Sequence, residues 1–511
     1  MKNYKYIGLF LLSLGLVSCD VNNELDEIAA EVVPEIALNT NGLDLSKYVA
    51  IGASFTSGYT DGALFIAAQE NSFPNILAGK FGTDFTLPLM NDNIGGIVLG
   101  NTVVQEPRLF FNGAGPQRLP ATPTTQLTDV LSGSFNNYGI PGAKSFHLGV
   151  PGYGALNPYF GRMASSPTAT VLGDALSQSP TFFTLSEIGG NDVLGFATSG
   201  GAGVDQSPTA SNPTGNLDPS TYGNNDITNP LVFGNVFNQM VAGLTANGAK
   251  GVVANVPYIT SLAYFTTVPH NPVPLDTATS AQLNAQLLGP VIQILTALGQ
   301  GDRMSLLEAS ATNKLLIKDE DLVDFSAQIS GALQAAGIPA AQAGLMGSLY
   351  GQARHATADD FVVLVTSGII GTTTTTVPAP FNTQGVTFPL ADQWVLTATE
   401  AAKVKTATDA YNTVIESTVA ANPNLALVDF KSVLQEASNG IQFDNYLMNT
   451  SLVFGGLVSL DGVHLTSRGY ALMANKIMAA MDAEFGSNFT EATNGLAKAA
   501  DYPTNYSPTL Q

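Results

Sequence analysis

"VAIGASFTSG", residues 49–58, is the stretch that decides the fold of this chain. It opens with a short apolar run, which is typical of a buried strand, and the run stops at Gly52. Ser54 follows two residues later, and Gly58 closes the stretch. Because glycine and serine are ordinary turn residues, one interpretation is a plain loop. The other is a nucleophile at the carboxyl end of a β-strand, and that interpretation requires catalytic partners elsewhere in the chain.

The segments that follow alternate between strand-like and helix-like patterns. Predicted strands lie within 136–149, 181–197, 248–260 and 425–430, and predicted helices lie within 59–82, 397–422 and 461–485. Strands that alternate with amphipathic helices predict a mostly parallel sheet with helices on both faces. The expected fold class is therefore α/β, as a three-layer α/β/α sandwich.

A long stretch interrupts this alternation and predicts an insertion. Residues 275–350 look largely helical, and 359–371 ("DDFVVLVTSGIIG") predict one buried strand. We therefore expect a single α/β domain over residues 46–487 with a large, mainly helical insertion at about 265–395. Such an insertion would cover the carboxyl edge of the sheet, where ligands bind in this class of fold. Residues 488–511 are expected to form a weakly ordered tail.

The amino terminus has the pattern of an export signal. Residues 1–19 ("MKNYKYIGLFLLSLGLVSC") combine a basic start with an apolar stretch that is too short to span a bilayer. The stretch ends on Cys19, the only cysteine of the chain, in a sequence that resembles a bacterial lipobox. The alternative is an ordinary secretory signal with a chance cysteine. A lipidated Cys19, followed by an acidic tether over 20–45, predicts a protein anchored in the bacterial cell envelope, at either face of the outer membrane.

Composition and charge restrict the class of partner. The 511 residues carry a net charge of −21, and only 12% of them are charged. No basic cluster follows the first few residues, which argues against a nucleic-acid partner. The sequence has no Gly-Lys phosphate-binding loop and no His/Asp cluster with metal-ligand spacing. We therefore expect no cofactor and no metal, and a polar, lightly charged surface suits a neutral substrate.

One of the four histidines has a carboxylate in a suggestive position. "DGVH" places Asp461 three residues before His464, at the start of the last predicted helix. In a loop, this spacing lets the carboxylate reach Nδ1 of the imidazole while Nε2 faces outward, as a general base requires. The alternative is helix capping, in which Asp461 or Thr466 accepts backbone N–H groups. We interpret His147, His270 and His355 as surface or packing residues.

Two further segments provide candidate hydrogen-bond donors for an oxyanion. "GGND" (189–192) follows an apolar strand, so the side-chain amide of Asn191 would lie at the carboxyl edge of the sheet. The alternative is an Asx-turn or a type I′ turn, which the same residues favour. Gly142 in "GIPGA" (139–143) would add a backbone N–H on another strand-to-helix turn, although it also fits a plain helix start. The combination with Ser54 at one sheet edge favours the catalytic interpretation.

These segments, in this order, resemble the blocks of the SGNH (GDSL-like) hydrolase family. "GASFTSGYTDG" (52–62) is similar to the first block, "GIPGA" to the second, and "GGND" to the third. "DGVHLTSRGYALMAN" (461–475) is similar to the fifth block, and the resemblance extends over about 48–480. The chain as a whole looks like lipoprotein members of this family in Bacteroidetes. The resemblance implies an SGNH hydrolase domain with a flavodoxin-like fold.

Carried onto this sequence, the resemblance assigns a role to each candidate residue. Ser54 would be the nucleophile, His464 the general base and then acid, and Asp461 the residue that orients the imidazole. The oxyanion hole would consist of the Ser54 and Gly142 backbone N–H groups and the Asn191 side chain. Two departures stand out: an alanine at position 53 replaces the usual aspartate of the first block, which loosens the turn, and the insertion matches none of the blocks.

The first functional hypothesis is a lipid-anchored serine esterase that acts on a small-molecule, lipid or acylated-glycan ester through an acyl-enzyme on Ser54. The alternative is a non-catalytic cell-surface ligand-binding lipoprotein on a degenerate SGNH core. The alanine at position 53 and the long insertion motivate this alternative. The full set of Ser54, Asn191, Asp461 and His464 favours the enzyme, because a binding protein has no use for all four residues. A phosphate- or metal-dependent hydrolase is the weakest interpretation.

Overall fold

The central sheet is built around the stretch quoted first. In the computed structural model of the protein, which describes residues 35–511, the strand Tyr48–Gly52 (β1) belongs to a five-stranded sheet. The other strands are β2 (Asn137–Gly139), β3 (Phe182–Leu185), β4 (Lys250–Ala254) and β5 (Leu425–Val428). Neighbours pair in parallel, in the order β5-β4-β3-β1-β2. This arrangement confirms the predicted α/β class and its parallel sheet.

The strand order determines where a ligand can bind. All residues of β1 and β3 are buried, which is usual for parallel strands and explains their continuous apolar sequences. The chain moves outward from β1 to β2 and then crosses back to β3 on the other side of β1. Ligands in open α/β sheets bind at the carboxyl ends of the strands where the order reverses in this way. That position is between β1 and β3.

Seven helices position the site or pack beside the sheet. They are α1 (Ser54–Ser57), α2 (Phe73–Phe81), α3 (Asn191–Thr198), α4 (Pro230–Thr245), α5 (Ala398–Ala420), α6 (Phe430–Asn439) and α7 (Ser467–Phe485). Helix α7 packs against α2 and β5, whereas α5 packs against α3, α4 and β5. Further helices are Ile66–Glu70, Pro158–Gly161, Val171–Ser177, Ala263–Thr266, Thr277–Leu283, Gly289–Ala297, Ser326–Ala335 and Ala340–Tyr350, with a π-helix at Asn284–Leu288.

Local sequence explains where the long helices begin and end. Helix α5 starts with a capping box, in which Thr397 accepts a bond from the Glu400 N–H and the Glu400 carboxylate accepts one from the Thr397 N–H. Helix α7 starts on Thr466, whose hydroxyl accepts a bond from the Gly469 N–H. It ends on Gly486, whose φ of 72° is a left-handed conformation that glycine adopts without strain.

The remaining strands form two-stranded antiparallel pairs within residues 35–511. The pairs are Ile97–Leu99 with Thr102–Gln105, Leu109–Phe111 with Pro116–Arg118, Leu316–Lys318 with Ala353–His355, Phe361–Val362 with Val395–Leu396, and Ile441–Phe443 with Tyr446–Met448. The predicted strand over 359–371 is therefore wrong beyond its first residues. A 3₁₀ turn over Leu364–Gly368 follows, and Thr366 Oγ1 donates to Trp394 O, so the apolar run bends away from the strand pair.

A second group of buried apolar side chains lies apart from the main core. Its buried members run from Val268 to Val395 in sequence and include Leu316, Tyr350 and Leu390. The main core contains the five strands and the helices beside them. The stretch from 268 to 395 thus has enough apolar residues to build a core of its own.

The predicted amino-terminal features lie partly outside the described residues. Residues 1–34, with the predicted signal peptide, Cys19 and most of the predicted tether, are not among them. Leu38–Gln511 forms one compact unit, and Leu43 and Leu45 at the end of the predicted tether are buried. The folded unit therefore begins several residues before the expected start at residue 46.

The first residues of this unit are hydrogen-bonded to the carboxyl end of helix α7 and to the residues just after it. The Asn41 side chain donates to Phe485 O (2.8 Å), at the end of α7. The Asn39 N–H donates to Asn488 Oδ1 (2.7 Å), just beyond it. Phe489 is fully buried. Residues 488–511 thus pack onto the unit, in contrast to the weakly ordered tail that we expected.

A buried arginine holds the last residues of the chain. Arg108 is fully buried, and its Nη2 donates to Ser507 O (2.6 Å) and to Leu510 O (2.9 Å). The Tyr506 hydroxyl lies 2.5 Å from Ser467 Oγ, at the start of α7. The tail is fixed because its carbonyl groups are the partners that a buried guanidinium requires.

Candidate active site

The turn after β1 places Ser54 at the first position of the short helix α1. The carboxylate of Glu187, which follows β3, accepts hydrogen bonds from the backbone N–H groups of Ala53 (3.0 Å), Phe55 (2.7 Å) and Thr56 (2.6 Å). It also accepts one from the Thr56 hydroxyl. The turn is therefore held firmly, although we expected the alanine at position 53 to loosen it. Sequence reasoning missed Glu187, and its only signal was a lone acidic residue in the largely apolar run "FFTLSEIGG" (182–190).

The close approach of Glu187 depends on a glycine. A Cβ atom at Gly52 would lie 2.1 Å from Thr56 Oγ1, 2.6 Å from Ser186 O and 2.8 Å from Glu187 Oε1. Glu187 itself has a φ of 55°, which is uncommon for a residue other than glycine. Burial raises the pKa of its carboxyl, and the hydrogen bonds from the turn act against that rise.

The structure brings Asp461 and His464 together in the loop before α7. Asp461 Oδ2 lies 2.9 Å from His464 Nδ1, and each side chain is 13% exposed. Asp461 Oδ1 accepts the backbone N–H groups of Val463 and His464, both at 2.8 Å. The carboxylate thus shapes the loop and orients the imidazole, whereas the residue that caps helix α7 is Thr466.

The pKa of Asp461 lies well below its ordinary value. Burial alone would raise the pKa of this carboxyl, but the neighbouring His464 and the hydrogen bonds from the loop lower it further than burial raises it. Gly62, on the segment after the Ser54 turn, donates a further backbone bond of 2.8 Å to Asp461 Oδ2. Asp461 is therefore ionised throughout the neutral range, as the partner of an imidazolium must be.

The Ser54 turn and the His464 loop are joined through several contacts. The His464 ring centroid lies 5.5 Å from that of Phe55 and 4.6 Å from that of Tyr59. The Thr60 hydroxyl donates to Leu465 O (2.8 Å). Within residues 35–511, Ser54 Oγ has no hydrogen-bond partner, so it is not bonded to His464 Nε2 in this structure. Catalytic hydrogen bonds are often long in unliganded enzymes.

Three N–H groups at this edge of the sheet remain available for an oxyanion. Glu187 and Ala53 O bind the other N–H groups of the turn, but among the described residues Ser54 N has no partner. Gly142 N is likewise unpaired there, and Gly142 has a φ of 78°. Asn191 uses one amide N–H to donate to Ala143 O (2.9 Å), which leaves the second free.

A buried carboxylate fixes the Gly142 and Asn191 segments relative to each other. Asp192 is fully buried and accepts bonds from the Ser145 N–H (2.9 Å) and the Ser145 hydroxyl (2.7 Å). Burial raises the pKa of Asp192, and the bonds from Ser145 act against that rise. Asp192 is a further residue that sequence reasoning did not identify, although it is the last residue of "GGND".

A cavity of about 100 Å³ opens beside Ser54 and Asn191. Its other lining is mainly apolar and comes from the loop after β4, from α6 and from α7, with Val256, Leu262, Val433, Leu434, Leu472 and Met473 among its residues. Val463 and Leu465 also line it, whereas His464 between them and Gly142 do not. The cavity thus begins at Ser54 and extends between the sheet and two helices.

A second buried carboxyl lies near the Asp461–His464 pair. Asp61 is 1% exposed, has a φ of 53°, and accepts a bond from the Leu460 N–H (3.1 Å). Burial raises its pKa to about 7, and the neighbouring charge of Asp461 adds to this rise, whereas Arg108 and His464 act against it. Sequence reasoning gave Asp61 no role, since "YTDG" has the composition of an ordinary turn.

The other histidines lie away from this constellation. His147 stacks on Tyr153 with ring centroids 4.6 Å apart, and burial lowers its pKa to about 4. His355 is buried, with a pKa that burial lowers to about 4, and its Nδ1 accepts the Ser305 N–H (3.1 Å). His270 is partly exposed. These surroundings are those of packing residues.

Residues 35–511 contain neither a cluster of metal ligands nor a membrane-spanning helix. No three side chains of His, Cys, Asp or Glu in this range are arranged to hold a metal ion. None of the helices in the same range combines the length and apolarity that crossing a membrane requires. Comparison of the chain with protein-family models, with curated proteins and with solved structures found no match.

Proposed function

We propose that this protein is a serine ester hydrolase of the SGNH (GDSL-like) type. One observation carries the proposal. A carboxylate–imidazole pair at 2.9 Å lies beside a strand-to-helix turn whose serine hydroxyl and N–H have no hydrogen-bond partner among residues 35–511. Asn191 and Gly142, at the same sheet edge, add two further donors. This combination matches what acyl transfer by a serine requires.

The proposed reaction has two steps. His464 Nε2 takes the Ser54 hydroxyl proton while Ser54 Oγ forms a bond to the ester carbonyl carbon. The bond from that carbon to the alcohol oxygen then breaks, and His464 gives the proton to the leaving alcohol. A water molecule, deprotonated by His464, attacks the acyl-enzyme and releases the acid and Ser54. The N–H groups of Ser54, Gly142 and Asn191 stabilise the negative oxygen in both steps.

The finer architecture is part of the same proposal. Helices α2 and α7 would cover one face of the sheet, and α3, α4 and α5 the other, as a three-layer α/β/α sandwich. The separate apolar core between Val268 and Val395 supports an insertion close to the expected 265–395. We also propose that Cys19 is lipidated and anchors the enzyme in the bacterial cell envelope, at the outer membrane.

The test uses the chain without residues 1–19. We expect a fluorophosphonate probe to label the protein covalently, and short p-nitrophenyl esters to be hydrolysed. Ser54→Ala and His464→Ala should abolish both, whereas His270→Ala should retain both, since His270 lies outside the site. Folded wild type without labelling or turnover would overturn the proposal in favour of a ligand-binding lipoprotein. Activity that survives Ser54→Ala would show that another nucleophile is used.

A further inference from the structure

We propose that the cavity beside Ser54 holds the acyl chain of the ester, and that the substrate carries an acyl group of four or more carbons. The inference rests on the proposed ester hydrolysis and specifies its substrate class. It starts from the position of the cavity, which is lined by both the nucleophile and Asn191. A group bonded to Ser54 Oγ therefore lies at the cavity entrance.

The polar groups of the cavity do not compete with an apolar chain. The Glu187 carboxylate is committed to the N–H groups of the Ser54 turn. Asn255 donates to Asp429 (2.7 Å) and accepts the Lys431 N–H (3.0 Å). Within the described residues, Ser54 Oγ, Ser186 Oγ and the second amide N–H of Asn191 have no partner, and these residues follow the neighbouring strands β1 and β3. The uncommitted polar groups thus lie beside the reacting carbonyl, and the rest of the lining is apolar.

The position of His464 distinguishes the acyl chain from the alcohol. His464 must protonate the leaving alcohol, so the alcohol has to lie on the His464 side of Ser54. The neighbours of His464, Val463 and Leu465, line the cavity, whereas His464 does not. The imidazole thus forms no part of the cavity wall, although the residues on either side of it do. The cavity is therefore on the other side of the nucleophile from the alcohol.

The volume sets the expected length of the chain. About 100 Å³ is several times the roughly 10–15 Å³ that a cavity needs in order to hold one water molecule. An acetyl group would leave most of this space unfilled. Each methylene that enters an apolar site should raise kcat/KM about fourfold.

The first experiment compares two ester series on the chain without residues 1–19. The p-nitrophenyl esters of acetate, butyrate and octanoate vary the acyl group, and ethyl, butyl and octyl acetate vary the alcohol. We expect kcat/KM to rise by about 15-fold from acetate to butyrate, which is two methylenes at about fourfold each. The alcohol series should stay within about threefold. A rise in the alcohol series alone, or the same kcat/KM for all acyl lengths, would overturn the inference.

The second experiment alters the cavity. Val433→Trp on α6 should lower kcat/KM for octanoate relative to acetate by tenfold or more, and Val433→Ala should shift the ratio in favour of octanoate. Gln435→Trp, an exposed residue on the same helix, is the matched control and should leave the ratio unchanged. If neither Val433 variant changes the ratio, the chain binds elsewhere.

Failure of this inference can be told apart from failure of the proposed function. Fluorophosphonate labelling of Ser54 with hydrolysis of acetate but no chain-length dependence would leave the esterase standing and remove only the acyl cavity. Absence of labelling and of all turnover would remove both.

Discussion

At the scale of single residues, Glu187 explains how the turn that carries Ser54 keeps its shape. The carboxylate comes from the end of β3 and binds three N–H groups of the neighbouring turn. Their arrangement leaves Ser54 N–H free, and that selective pairing is what an oxyanion site at this turn would need. A carboxylate from another strand thus supports a turn in which alanine stands at position 53.

Glu187→Ala should therefore damage both stability and activity. Three N–H groups would lose their acceptor, at a cost of about 2–4 kcal/mol in the free energy of unfolding. A displaced Ser54 should also lower kcat by about tenfold or more. Urea unfolding and ester hydrolysis would measure the two effects. Glu436→Ala, an exposed carboxylate on α6, is the control and should change neither. Full activity in Glu187→Ala would mean that the turn does not depend on this carboxylate.

Asp61 predicts a dependence of stability on pH. Its pKa is about 7 in the folded protein, above its ordinary value, so the folded state holds a proton that the unfolded chain releases at lower pH. The stabilising contribution is complete below about pH 4 and is lost as the pH rises towards 7. Asp61→Asn removes this titration, while its amide oxygen still accepts the Leu460 N–H.

The measurement is urea unfolding of wild type and Asp61→Asn at pH 4.5 and pH 7.5. We expect the free energy of unfolding of Asp61→Asn minus that of wild type to be larger at pH 7.5 than at pH 4.5, by on the order of 1–4 kcal/mol. Groups that do not interact with Asp61 titrate equally in both proteins, so the difference reports Asp61 and the charges coupled to it. An identical difference at both pH values would contradict a raised pKa.

At the scale of elements, the sequence pattern predicts some segments well and others poorly. The segments of β1, β3, β4 and β5 were predictable because parallel buried strands are continuous apolar runs. The run "DFVVLVTSG" has the same composition, but it finds only a two-residue partner strand before it turns. The amino-acid composition of an apolar run therefore does not predict how long a partner strand it will find in the fold. The Asp461–His464 pair was predictable because its two residues are only three positions apart in "DGVH". The bonds between Glu187 and the Ser54 turn were not predictable, because they join residues that are far apart in the sequence.

Two glycine-to-alanine substitutions test the close contact between β1 and α1 and the helix propensity of α2. Gly52→Ala would place a Cβ within 2.1 Å of Thr56 Oγ1, against a turn that cannot move without losing Glu187. We expect a loss of about 3 kcal/mol or more in the free energy of unfolding. Gly79→Ala, inside α2 and open to solvent, should instead stabilise the protein by about 0.5–1 kcal/mol. Thermal and urea unfolding would show both, and a tolerated Gly52→Ala would contradict the close contact.

At the scale of the whole molecule, the last residues of the chain complete the buried surroundings of Arg108. Removal of residues 504–511 deletes the carbonyl groups of Ser507 and Leu510 that the guanidinium requires. We expect the free energy of unfolding to fall by about 3–5 kcal/mol, because a buried charge keeps its bond to Asn93 O but loses those to Ser507 O and Leu510 O. In an Arg108→Met background the same truncation should cost less. Equal losses in both backgrounds, measured as a double-mutant cycle, would contradict this coupling.

The chain joins the folded unit at the opposite end of α7 from the loop that carries His464. Asn41 is held at Phe485, the last residue of that helix, whereas His464 lies just before its first turn. A helix of 19 residues is about 28 Å long. A solid support attached at the Asn41 end of the unit would therefore leave the side of the molecule that carries His464 open to solutes.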